Sequence, residues 1–209
     1  MRYQAVGIVV LICLSVFIAN IYDFLAINRP VAGANILLVE GWFWKSSAIK
    51  EAAEIFKQGK YDWLVTVGEP NGGDDTDNRV DANKSTAELT KLRLEEYGVA
   101  EKYIVPLPVP EVYEHQTYTC ALTFRKWLTV TKIKVVGVDV FSLGTHARKS
   151  LVLFERALGK NVKVGVFAGT EDTFKPDYWL MSQRGIYVVA RKFLGYLYAV
   201  IWPLPNQAN

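Results

Sequence analysis

Two adjoining stretches, Ile133-Lys-Val-Val-Gly-Val138 and Ser142-Leu-Gly-Thr-His-Ala-Arg-Lys-Ser150, decide how this chain is read. The first is a short apolar run with the look of a buried strand. Small and hydroxylated residues follow it. Then Ala147, Leu151, Phe154 and Leu158 recur at helical spacing until Gly159 closes the pattern. The stretch reads as a strand–loop–helix junction that delivers His146, one of two histidines in the chain, and Arg148 to a helix N-terminus. Free backbone N–H groups and the helix dipole favour an anion at such a place. Arg148 would add a planar fork of donors, and His146 a group able to exchange a proton near neutral pH.

The same alternation extends outward in both directions. Asn35-Ile-Leu-Leu-Val39, Asp62-Trp-Leu-Val-Thr-Val67, Tyr103-Ile-Val105 and Asn161-Val-Lys-Val-Gly-Val-Phe167 read as four further strands. Between them lie helical stripes: Ile49, Ala52, Ala53 and Phe56; a segment opened by the capping box Ser85-Thr-Ala-Glu88; and Tyr118, Ala121, Leu122 and Leu128. Five strands alternating with helices predict an α/β fold with a doubly wound, mainly parallel sheet. Ligands in such folds sit beyond the carboxyl ends of the strands. The residues there are Glu40-Gly41-Trp42, Gly68-Glu69 and Ser142 to Arg148. A last helix is expected from about Tyr178 toward Trp202, with Ile186, Val189, Phe193, Leu197 and Val200 packed on the sheet and Tyr187, Tyr198 and Trp202 on its other side.

Ahead of this domain, Ala5 to Tyr22 carry no charge and the apolar character runs on to Ile27. That length suits one transmembrane helix better than a cleaved signal, and no small-x-small cleavage site follows it. The expected organisation is an anchor over 1–27, a linker over 28–34 and an α/β domain over 35–209. Arg2 and the amino terminus place the N-terminus in the cytoplasm and the domain outside it, in a single-pass cell-membrane protein. The net charge of +3, with no basic run, gives no case for nucleic acid. Cys120 is the only cysteine beyond the anchor, so the domain holds no internal disulfide and its compartment stays open.

The residues offer several candidates for chemistry. Glu40 would act as a general base, a ligand or a hydroxyl acceptor, or as a structural acid paired with Arg148 or Lys84. Trp42 and Trp44 would stack on a sugar or cover a core edge. Lys84 would reach a phosphate or stay solvated, and Thr117 would cap its helix and face the cleft. Gly41, Gly68, Ser142 and Thr145 complete the expected lining. The acidic group Asp74, Asp75, Asp77 and Asp81 lacks calcium-loop spacing, and no Cys/His cluster supports zinc. Neither Gly-x-Ser-x-Gly nor Gly-x-Gly-x-x-Gly occurs at the relevant turns, and the residues name no cofactor.

Leu38-Val-Glu-Gly-Trp42, Val65-Thr-Val-Gly68, Gly98-Val99, Thr117-Tyr118 with Ala121, Thr145-His-Ala-Arg-Lys-Ser150 with Phe154 and Leu158-Gly159, and Tyr178-Trp179 with Gly185 occur in that order. On these pieces the chain resembles the SanA/YdcF/ElyC-like family of bacterial envelope-associated proteins over about Ile36 to Ile201. It departs from the family at Gly68-Glu69, where many members have Gly-Gly, and at Thr119-Cys120, where many have Glu-Asn. The resemblance implies a Rossmann-like fold, a membrane tether and a role in cell-envelope or polysaccharide metabolism. The expected function is to bind or process a phosphate-bearing envelope intermediate, such as a lipid-linked sugar. His146 would serve as acid/base, Arg148 and the helix N-terminus would hold the phosphate, and Glu40 would assist. An enzyme of this kind would be a hydrolase or transferase; the alternative is a non-catalytic partner of an envelope-assembly complex. The expected partners are the lipid bilayer, envelope-assembly proteins and the phosphate-bearing molecule.

Overall fold

A computed structural model describes residues 2–71 and 83–202. Its elements run α1 (Arg2–Leu25), β1 (Ile36–Glu40), α2 (Ala48–Gln58), β2 (Trp63–Gly68), α3 (Thr86–Glu96), β3 (Ile104–Pro108), α4 (Gln116–Thr131), β4 (Val138–Leu143), α5 (Ala147–Leu158), β5 (Val164–Gly169) and α6 (Gln183–Ile201). Short 3-10 turns occupy Gly41–Phe43, Gly144–His146 and Pro176–Met181. The five strands form one all-parallel sheet in the order β3-β2-β1-β4-β5. Chain direction across the sheet reverses between β1 and β4, which places the crevice at their carboxyl ends.

Strict side-chain alternation explains why the central strands look uniformly apolar. Ile36, Leu38, Val65, Val67, Val138 and Val140 face Phe124 of α4 and Leu151 and Phe154 of α5. Their neighbours Leu37, Val39, Leu64, Phe141 and Leu143 face Ile49, Ala52, Ala53 and Phe56 of α2 and Leu94 of α3. A parallel sheet covered on both faces needs apolar residues in both registers. The expected capping box is present: Ser85 accepts from the Glu88 N–H, and Glu88 reaches back to the Ser85 N–H.

Two strands differ from the sequence reading. β4 begins at Val138, where the expected strand ended, and Ser142 lies inside it rather than in a loop. Asp139 hides this strand from a hydropathy reading. Its carboxylate accepts from the Val31 N–H (2.7 Å) and the Tyr61 hydroxyl (2.8 Å), which satisfies a polar group within a buried strand. β3 continues through Pro106 to Pro108, which the sequence reading placed in a loop. At the sheet edge a strand tolerates proline, because no partner needs the missing N–H.

α1 carries a 20-residue span, Val6–Leu25, long and apolar enough to cross a membrane. Its last turns are part of the folded body: Ile21 and Leu25 are buried with Phe174, Trp179 and Val189. Residues 28–31 follow the free edge of β5. Arg29 exchanges backbone hydrogen bonds with Val166 (2.8 and 3.1 Å), and the Asn28 side chain accepts from the Ala168 N–H. α6 packs on α5, α1 and the Gly144–His146 turn, not on the sheet as the sequence pattern had implied. The Arg156 guanidinium donates to the carbonyls of Ala199 (2.6 Å) and Val200 (2.9 Å), closing the C-terminal end of α6.

Candidate functional site: a cationic cavity at the sheet crevice

A cavity of about 640 Å³ opens at the carboxyl ends of the strands. Trp42 follows β1, Gly68 and Glu69 end and follow β2, and Thr86 starts α3. His115 and Thr117 come from the start of α4, and His146 and Lys149 from the start of α5. α6 closes the remaining side with Arg191, Lys192 and Gly195. Gly68 is needed where it stands. A Cβ there would fall 2.1 Å from Thr86 Oγ1 and 2.7 Å from the Ala87 backbone nitrogen. Gly41 is pressed as tightly on the Thr86 backbone, so the amino end of α3 abuts both loops.

His146 sits at the cap between the 3-10 turn and α5, buried within the wall. Its Nε2 is 3.2 Å from Thr117 Oγ1, and its Nδ1 is 3.2 Å from Lys192 Nζ. Trp42 meets the imidazole edge-to-face at 5.2 Å, and Lys192 lies over the indole at 4.2 Å. Burial, reinforced by repulsion from Lys192, Lys149 and Arg191, drives the imidazole pKa well below its ordinary value. Burial also lowers Lys192, to about 8, against the attraction of Glu40. Lys149 is lowered by burial as well. The lysine therefore sets the imidazole tautomer. A protonated Lys192 donates to Nδ1, which leaves the ring proton on Nε2, directed at Thr117. A neutral Lys192 can accept from Nδ1–H, which leaves Nε2 free to accept the Thr117 hydroxyl proton.

Glu40 ends β1 beneath the cavity and is 2% exposed. Ser150 donates to Glu40 Oε2 at 2.8 Å, and the Ser142 hydroxyl lies 3.3 Å from that of Ser150. Burial favours the neutral carboxyl. Hydrogen bonds from Ser142 and Ser150 and the charges of Lys192 and Lys149 oppose that shift. Burial prevails and the carboxyl pKa stays raised; in its ionised form Glu40 is the counter-charge beneath the two lysines, without opening onto the cavity.

The sequence-derived candidates separate on this geometry. Trp42, Gly68, Thr117 and His146 line the cavity. Glu40, Gly41, Ser142 and Thr145 are buried behind it. Lys84 is half-buried on the approach to α3 and is not part of the wall. Arg148, expected at the cavity, turns away from it. Its Nε donates to the Phe24 carbonyl and its guanidinium stacks 3.9 Å over the Phe24 ring, so it points at α1 and not at the cavity. One residue is about 100° of helix. With His146 at the cap, that turn carries Arg148 outward and Lys149 inward. Lys149, Arg191 and Lys192 are the cations that the sequence reading missed. Arg191, Lys192 and Gly195 share one side of α6, a spacing that could have marked them as a group. Thr117 faces His146 instead of capping α4, whose first residue is preceded by His115 in the left-handed region (φ 59°). Cys120 also touches the cavity, but burial pushes its thiol pKa up and keeps it unreactive. The acidic group at Asp74, Asp75, Asp77 and Asp81 lies outside the described residues.

Comparison with known protein families, curated proteins and solved structures gives no match to this chain.

Proposed function

We propose that this is a membrane-anchored cell-envelope protein whose α/β domain binds or processes a phosphate-bearing envelope or polysaccharide intermediate. One observation carries the reading: Lys149, Arg191 and Lys192 converge on a crevice cavity where, among the described lining residues, only Glu69 opposes them with a carboxylate. Three cations at a partly desolvated wall, one of them over an indole, suit a phosphate or pyrophosphate group. In a reaction, His146 is the acid/base group, Thr117 its hydroxyl partner, and Glu40 the buried charge that keeps the lysines cationic. The chemistry would be hydrolysis or transfer at the phosphate-bearing group. The envelope setting rests on the resemblance to the SanA/YdcF/ElyC-like family.

A second reading, a non-catalytic partner of an envelope-assembly complex, draws on a specific feature. Both ring nitrogens of His146 already face partners.

The test is thermal unfolding of the detergent-solubilised full chain. Inorganic phosphate or pyrophosphate at about 100 times its dissociation constant should stabilise the protein by about 2.7 kcal/mol. Chloride at matched ionic strength should not. Equal melting in the two salts removes the anion-site reading. Turnover of phosphate esters by the same sample separates enzyme from partner. We further propose that α1 spans the membrane with its N-terminus in the cytoplasm and the domain outside. Protease added to intact spheroplasts should then digest the domain, and full protection would reverse the orientation.

A further inference from the structure

The outward face of α6 has no cover among the described residues. At about 100° per residue, Ile186, Tyr187, Ala190, Leu194, Leu197 and Ile201 fall in one sector of roughly 100°. None is charged. Leu194 is 66% exposed and Ile201 78%. Met181, in the 3-10 turn just before the helix, is 85% exposed. A helix on the surface of a water-soluble domain turns polar residues outward, and contiguous apolar surface of this kind marks a site of contact. On one side the sector is bounded by Phe193 and Tyr196, which meet α1. On the other side stand Arg191, Lys192 and Gly195, which line the cavity.

The position of α1 says what covers this face. Phe17 packs edge-to-face on Phe193 (5.8 Å), and Phe24 on Tyr196 (5.5 Å). Phe17 lies two turns before Leu25, about 12 Å along the helix axis. It therefore falls well inside the apolar span Val6–Leu25. The pinned linker and the buried Ile21 and Leu25 leave the domain no freedom to lift off. With α1 in a bilayer, Phe193 and the sector residues nearest it, Ala190, Leu194 and Leu197, are held near the depth of Phe17.

We propose that the outward face of α6, with the preceding turn at Leu180 and Met181, is a membrane-docking surface whose occupant is the lipid bilayer around α1. Tyr187 and Tyr198 have the amphipathic rings favoured at the bilayer interface. The carboxyl ends of the strands are on the α1 side of the domain: a Cβ on Gly144 would lie 3.5 Å from the Tyr22 hydroxyl. The docking surface therefore holds the Arg191–Lys192 wall of the cavity against the half of the bilayer nearest Leu25.

The test uses the full chain with Cys13→Ser, reconstituted in nanodiscs of phosphatidylcholine and phosphatidylglycerol. Nitroxide labels are attached at Leu194→Cys and Ile201→Cys on the surface, and at Val136→Cys at the opposite end of the sheet. Cys120 is buried and stays unlabelled. Labels at 194 and 201 should collide several-fold more with oxygen than with a water-soluble nickel chelate, and the label at 136 should show the reverse. Water-like accessibility at all three positions overturns the proposal. So does dipolar broadening between labels on two copies, which would make a second chain the occupant. Phosphate binding plays no part in either readout.

Discussion

Glu40→Ala should destabilise the domain by about 3–5 kcal/mol, the cost of deleting one member of a buried charge set. The carboxylate is the acceptor for Ser150 and the counter-charge beneath Lys149 and Lys192. Removing it takes away the Ser150 acceptor and the carboxylate that attracts both desolvated ammonium groups. Urea unfolding of the full chain in detergent, followed by tryptophan fluorescence, gives the number. Glu40→Gln separates the two contributions. It keeps an oxygen for Ser150 and removes the charge, so a glutamine variant nearly as unstable as the alanine one shows that the charge matters. A loss under about 1 kcal/mol in Glu40→Ala would show that the lysines do not depend on this carboxylate.

The second large effect is a pH dependence at His146. Its folded pKa lies well below the ordinary histidine value, because burial and the neighbouring cations disfavour the imidazolium. As pH falls through about 6.5, the unfolded chain takes up a proton that the folded chain refuses. Folding stability therefore falls on acidification, by up to about 1.4 kcal/mol per pH unit from this one group, until the folded pKa is reached. The stabilising share is fully present above the unfolded pKa. In His146→Gln that slope disappears. Parent and variant stabilities measured from pH 7.5 to pH 5 should converge on acidification; parallel curves would mean that His146 titrates in the folded state as it does in the unfolded one.

Much of the architecture is written in local patterns. The Ser85/Glu88 capping box, the helical stripe of α5 and the apolar runs of β1 and β2 depend on neighbours within a few residues, and each predicts its element. What failed depends on partners far along the chain. Asp139 looks foreign to a buried strand until Val31 and Tyr61 are brought to it. Pro106 and Pro108 look like loop residues until β3 is known to be an edge. The site divides in the same way. His146, Trp42 and Gly68 follow from the rule that ligands gather at strand ends, Thr117 from its place at the start of a helix, and all four line the cavity. Arg148 and Lys149 are adjacent, and the arginine turns outward to α1 and the lysine inward only once His146 is known to sit at the cap of α5. Arg191 and Lys192 read as charges interrupting an apolar helix, since no local pattern tells that α6 folds back over the crevice.

Phosphate titration of three chains by calorimetry shows directly which cations hold the anion. Against the parent, Lys192→Ala should weaken binding by about 10- to 100-fold, the value of one charge-assisted contact. Arg148→Ala should bind phosphate as the parent does, because its side chain is committed to Phe24. If Lys192→Ala retains the parent's affinity, or if Arg148→Ala loses it, the cationic cavity is not the phosphate site.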